Sequence, residues 1–268
     1  MGSLLVSGSE REEADLERRL RTHPGVTRPN VVAVASPKGG VGKSTTAFVM
    51  ANVFASHLKL HAIAVDASRS GTLSRLPADS VRAASSAVEL LDRADSIGTA
   101  AELRPYVARL PSGLHLLAAP HEPVPDVGPD SHGKLVALLS CFYEAVVVDL
   151  GPGVTGPLAR LTLERADQVV LVTTPEQITA TIAIHALDQL DRARTRVIVN
   201  RSHRRLMPEL RAIEECIERR KVRRPISVPD DRRLCTMLQS GTYSLEALDR
   251  GTRVAVKRLG LAVAERLV

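Results

Sequence analysis

An unbroken apolar run, Val31-Val32-Ala33-Val34-Ala35, leads into Ser36-Pro37-Lys38-Gly39-Gly40-Val41-Gly42-Lys43-Ser44-Thr45, and a helix-like segment from Thr46 to Ser56 follows. Few folds accept a strand, a glycine-rich turn and a helix in that order. It is the opening half of a βαβ unit. Glycines let backbone N–H groups converge on phosphate oxygens, and the helix N-terminus adds partial positive charge. In such a turn Lys43 reaches the β/γ-phosphates and Ser44 offers a hydroxyl to Mg²⁺.

The rest of the chain repeats this alternation. Strand candidates are 30–36, 61–66, 114–119, 144–149, 168–174, 196–200 and 225–229, with helical patterns between most of them. The expectation is an α/β fold: a single-domain, mostly parallel twisted sheet with helices on both faces. Composition agrees with it. Aromatic residues are only 2% of the chain and Trp is absent, so aliphatic side chains and Ala must fill the core, as in sheets covered on both faces. Residues 30–268 form the expected domain. Residues 1–29 read as a charged N-terminal extension, flexible or a short helix, with Leu16 and Leu20 its large apolar residues between Glu10 and Arg21. The Pro- and Gly-rich segment 120–133 reads as a mobile loop.

Acidic residues close two of the strand candidates. Ala62-Ile63-Ala64-Val65 ends in Asp66, and Ala145-Val146-Val147-Val148 ends in Asp149, followed by Gly151-Pro152-Gly153. Carboxylates at the C-terminal ends of parallel strands lie where open α/β sheets bind ligands. Each also has a plainer reading as a turn or helix-capping Asp.

Lys38 to Thr45 fit the pattern KGGxGK[ST], with Pro37 where the general phosphate loop has Gly. This resembles the deviant Walker A box of the MinD/ParA family of ATPases, in an Arg-rich style similar to actinobacterial MinD-like proteins. The resemblance runs from about Asn30 to Val268. It implies a P-loop NTPase of the deviant Walker A type that binds ATP/ADP and Mg²⁺. By the same resemblance Lys38 reaches into a partner subunit's ATP, giving an ATP-sandwich homodimer. Lys38, Lys43 and Asp66 become the catalytic residues, and Ser44, Asp66 and Asp149 organise the metal. The nucleotide is held by Gly39, Gly40, Val41, Gly42, Lys43, Ser44 and Thr45, with Asn200, Pro229 and Asp230 at the base. The family's second strand usually ends Asp-x-Asp, whereas here the second position is Ser68. A hydroxyl cannot act as a carboxylate base, so the expectation is ATP binding with slow or partner-dependent hydrolysis. The segment Ala166–Glu176 resembles the strand and turn that precede a dimer-face helix.

Charge bears on partners. The net charge is +6, and only six Lys contribute to the 36 basic residues. Between Arg201 and Arg233 there are eleven Arg or Lys against six Asp or Glu. This stretch reads either as a surface for non-specific DNA, as in ParA-type proteins, or as a solvated helix with an apolar stripe at Leu206, Leu210, Ile213 and Ile217. Residues 252–268 read as a final core helix in preference to a membrane anchor. Cys141, Cys216 and Cys235 lack metal spacing and fit a reducing cytosol. The expected location is the cytoplasm, with nucleoid association if DNA is the partner. An unidentified activating or cargo protein is expected too. Two functions stay open at this stage. One is a positioning or partitioning ATPase. The other is a catalytically weak ATP-binding scaffold that recruits a pilus, secretion or division apparatus. A metabolic ligase of the same fold is disfavoured, because the eight His are scattered and form no convergent set.

Overall fold

Every apolar run expected to be a strand is one, to within two residues at each end. In the computed structural model, which describes residues 8–68, 71, 73, 87–119 and 128–267, the chain builds one sheet. The strands are β1 (Asn30–Ala35), β2 (Ala62–Ala67), β3 (Ala108–Arg109), β4 (His115–Leu117), β5 (Ala145–Leu150), β6 (Gln168–Thr173), β7 (Thr195–Ser202) and β8 (Ile226–Pro229). Their spatial order is β3-β4-β2-β5-β1-β6-β7-β8. All pairings are parallel except β3 with β4, a two-residue edge pairing that no periodicity could have announced.

The sheet is covered on both faces. Val32 and Val34 face one apolar cluster and Ala33 and Ala35 the other, as alternating side chains must. Under the first face lies α2 (Lys43–Ser56), buried almost all round, with α10 (Arg250–Ala264) over it. A Cβ on Gly260 would stand 2.4 Å from Val53 Cγ1, so glycine lets α10 approach α2 closely. The second face carries α5 (Pro129–Ser140), α6 (Pro157–Arg165), α7 (Gln177–Leu187) and α8 (Met207–Arg219), with the short α3 (Ala87–Asp92) and α4 (Ala100–Leu103) toward the β4 side. α9 (Arg232–Ser240) follows β8, and the Asp231 carboxylate caps it by accepting from the Arg233 and Leu234 N–H groups.

Two expectations change. The loop expected over 120–133 gives way to α5 at Pro129, because proline is well placed in the first turn of a helix; positions 120–127 lie outside the described residues. The helix expected between Glu10 and Arg21 is α1 (Gly8–Arg21), and it is docked on α10 with Leu16 and Leu20 buried. The described part of the expected final helix, residues 252–267, does pack as core: Val256, Leu259 and Val263 are buried. Among the described residues no helix is long and apolar enough to cross a membrane.

Candidate nucleotide site

The strand order reverses around β1. From β1 the chain moves outward to β2, returns to β5, and then crosses β1 to reach β6. Such a switch point opens a crevice at the carboxyl ends of the strands. The turn between β1 and α2 occupies that crevice. Gly42 caps α2 at φ +89° and offers no side-chain cap, so the first N–H groups of the helix face the turn without a competing acceptor. Glycine is required twice over at this position. The left-handed φ disfavours any other residue, and a Cβ would lie 2.1 Å from Asn200 Nδ2.

Lys43 and Asp149 form the centre of the site. Lys43 Nζ donates to Asp149 Oδ1 at 2.7 Å, with both side chains buried. Burial pushes the Asp149 carboxyl above its ordinary range. Lys43 and Ser44 oppose that rise and Asp66 adds to it. Asp149 Oδ2 has no hydrogen-bond partner among the described residues. Asp66 stands beside Asp149 in the β2–β5 register and is itself 4% exposed. Two carboxylates, one with an orphaned oxygen, next to the Ser44 hydroxyl at a helix N-terminus make a hard-oxygen donor set that fits Mg²⁺.

Ser68 turns inward. Its hydroxyl donates to Asp66 Oδ1 at 2.6 Å and its N–H reaches the same oxygen at 3.1 Å. The Ser68 side chain therefore fixes the orientation of Asp66.

The remaining predicted residues fall around this centre. Gly39 and Gly40 form the outer turn, and Gly39 lies against Pro152 of the Gly151-Pro152-Gly153 segment. The Gly153 N–H donates to Ser36 O at 2.9 Å, tying that segment to the root of the turn. Val41 is buried, Thr45 is half-buried, and Asn200 donates its amide to Val41 O at 2.9 Å. Pro229 pairs with Ser202 at the end of β7, and the Asp230 N–H donates to Ser202 O at 3.0 Å. The Asp230 side chain is exposed, so that turn adjoins the Asn200 end of β7 mainly through backbone.

Lys38 takes a different direction from Lys43. It is exposed and donates to Thr179 Oγ1 of α7 at 3.0 Å. A cleft of about 450 Å³ lies there, lined by Lys38, Gly39, Gly40, Thr174, Glu176 and Arg201 among others. Ile178 and Ile182, one turn apart on α7, are 71% and 39% exposed beside it. Thr179 was not singled out in the sequence, and Arg201 entered there only as the first residue of the basic stretch. Thr179 carries no motif signal, and in the structure Arg201 is held at φ +55°.

The basic stretch is partly self-neutralised. Arg219 pairs with Glu215, Arg220 with Asp188, Arg224 with Glu214 and Arg233 with Asp249.

The family model described as the CobQ/CobB/MinD/ParA nucleotide binding domain matches residues 32–245. No protein of curated function matches the chain by sequence. Many solved structures share the fold. A ParA family ATPase from Chlorobium tepidum TLS superposes with a TM-score of 0.72 at 23% identity, covering 86% of this chain and 98% of that one. A chain of the MinC:MinD cell division protein complex of Aquifex aeolicus gives 0.68 at 20% identity, covering 86% and 95%. The septum site-determining protein MinD from Pyrococcus horikoshii OT3, complexed with Mg-ADP, gives 0.66 at 19% identity, covering 87% and 94%.

Proposed function

The chain belongs to the CobQ/CobB/MinD/ParA nucleotide-binding family, and from that premise we propose that it is an ATP-dependent dimerising ATPase of the ParA/MinD kind, whose nucleotide state switches its hold on a partner or surface. Family membership supports a P-loop ATPase that takes adenine nucleotide with Mg²⁺.

The divergence of the two lysines carries it. Lys43 is buried on Asp149 inside the phosphate turn, whereas Lys38 leaves the turn for Thr179 on the face that also exposes Ile178 and Ile182. A lysine on that face is placed to reach phosphate held by a second subunit, and the two isoleucines supply apolar area for the contact. Within one subunit Lys43 and the α2 N-terminus hold the phosphates. Asn200, with Pro229 and Asp230 beyond it, lies on the base side. Ser44, Asp66 and Asp149 would hold Mg²⁺, which when bound neutralises phosphate charge.

The test is light scattering of the purified chain with ADP·Mg²⁺ and with a non-hydrolysable ATP analogue and Mg²⁺. Doubling of the mass with the analogue alone is expected, and Lys38→Ala should stay monomeric. A monomer in every nucleotide state overturns the dimer switch.

One observation favours the second reading, a catalytically weak scaffold that recruits an apparatus. Ser68 orients Asp66 but supplies no base. Measured turnover separates the two. The partner surface is proposed to be another protein or non-specific DNA. Retention on duplex DNA that requires the analogue and falls with salt would select DNA.

A further inference from the structure

A second cleft, of about 620 Å³, lies on the far side of the sheet edge between α1, α10 and β8. Five arginines line it, Arg19, Arg196, Arg223, Arg224 and Arg258, against two glutamates, Glu214 and Glu265. Both glutamates are already engaged, Glu214 with Arg224 and Glu265 with Arg19. Arg258 is held by Glu12. The side chains of Arg196 and Arg223 make no hydrogen bond or ion pair among the described residues, although the Arg196 backbone belongs to the β6–β7 ladder.

Arg196 is the unusual member. It projects from β7 and is only 7% exposed. Burial first, then the neighbouring charges of Arg223 and Arg266, work against its charged form, and Glu265 opposes them. A guanidinium stays charged at any ordinary pH. Holding one this deep without an ion-pair partner carries a desolvation cost that Met or Leu would avoid, and none of its nitrogens is among the fully buried unpartnered atoms, so the fork keeps its remaining exposure at the cleft. The floor beside it is apolar, formed by Leu16, Ile226 and Leu261.

We propose that this cleft is a second ligand site, distinct from the nucleotide crevice, that binds a small phosphate-bearing anion. Arg196 is the buried anchor, Arg223 closes over the anion from the solvent side, and the apolar floor receives an organic portion. A guanidinium fork matches phosphate oxygens in pairs, which explains arginine over lysine at both positions. Leu16 and Arg19 belong to α1, so an occupied cleft pins α1 to the body.

The experiment is a pyrophosphate titration of the full chain, read by thermal unfolding and by calorimetry, with and without excess ADP·Mg²⁺ to occupy the phosphate turn. Pyrophosphate in excess is expected to raise Tm by about 2–4 °C with the ADP present. Arg196→Met should weaken that binding at least tenfold while leaving resting Tm equal or higher, because it removes an unpartnered buried charge. Arg223→Gln, an exposed change without folding risk, should weaken it severalfold. Arg219→Gln, outside the cleft, should not. Pyrophosphate binding that survives both cleft variants, or vanishes when ADP is present, overturns the proposal. So does a cleft that ignores pyrophosphate yet loses short duplex DNA on Arg196→Met, since the phosphate source is then a nucleic-acid backbone. None of these outcomes depends on whether the chain dimerises.

Discussion

Lys43 Nζ sits 2.7 Å from Asp149 Oδ1, and this pair holds together the two halves of the phosphate crevice, α2 and β5. The ion pair is sealed from water, since the Asp149 side chain is fully buried. Removing one partner of such a pair leaves an uncompensated charge and typically costs about 3–5 kcal/mol. The raised Asp149 pKa offers partial escape, because the carboxyl can take up a proton instead. Lys43→Ala is therefore expected to lower Tm and to abolish ATP binding. Asp149→Asn leaves the buried Lys43 ammonium without its counter-charge, so it should lower Tm at least as much, and it should retain nucleotide while losing Mg²⁺ dependence. Thermal unfolding and nucleotide titration of the two variants check this. Equal ATP affinity in Lys43→Ala and the parent would remove Lys43 from the site.

Ser68 is the position at which the proposed slow turnover can be tested. Its hydroxyl is committed to Asp66 Oδ1 at 2.6 Å. A well-placed general base typically contributes about 10²–10⁴-fold. Ser68→Asp is expected to raise basal ATP turnover about tenfold or more. The gain falls short of the full range because a third carboxylate joins Asp66 and Asp149. Ser68→Ala should leave ATP affinity nearly unchanged. Steady-state phosphate release measures both, and an unchanged rate in Ser68→Asp means that Ser68 is not what limits hydrolysis.

The nucleotide crevice was legible in the sequence because its signals are local. Gly42, Lys43 and Ser44 are consecutive, and Asp66 and Asp149 each end a short apolar run that must be a strand. The pairing of Asp66 with Asp149 was not legible, since register between two strands is a tertiary property. Nor was the docking of α1. Glu13 and Lys257 lie 244 residues apart, and only the fold brings them to 3.3 Å. Lys257 lies off the stripe that Val256, Leu259 and Val263 form on α10, yet it is fully buried, its charge held by Glu13, Glu17 and Glu246. A polar residue escapes the hydrophobic pattern when its partners come from another element.

That ion cluster makes α1 separable in experiment. Leu20 is 1% exposed, and truncating a buried leucine typically costs about 2–5 kcal/mol. Because α1 packs on α10 at the periphery of the body, part of that cost should appear as undocking and not as global unfolding. Leu20→Ala and Lys257→Ala are both expected to speed tryptic cleavage after Arg18, Arg19 and Arg21, with the remaining chain protected. Acid should act in the same direction. Arg253 chiefly, with Lys257, holds the Glu13 carboxyl below its usual range, against the cost of burial. Its contribution is present above the ordinary carboxylate pKa and is lost as pH falls through the lowered one. Cleavage rates that match the parent in both variants would mean that these contacts do not hold α1.

His132 provides a test at milder pH. It lies on α5, 4% exposed, with Nε2 lacking a partner among the described residues. Burial pushes its pKa down to about 4 from 6.5, so the folded chain keeps it neutral. Below pH 6.5 the unfolded chain binds a proton there that the folded chain refuses. Stability is therefore intact above that pH and is lost progressively as pH falls toward 4, by up to about 3 kcal/mol from this residue. His57 and His115 are also lowered, chiefly by burial, and add to the slope. A difference measurement isolates His132: chemical denaturation of the parent and of His132→Leu at pH 7.5 and 5. The parent should lose more stability between the two pH values than the variant, by about one proton's worth of slope. Parallel pH profiles would place the His132 ring in contact with solvent in the native ensemble.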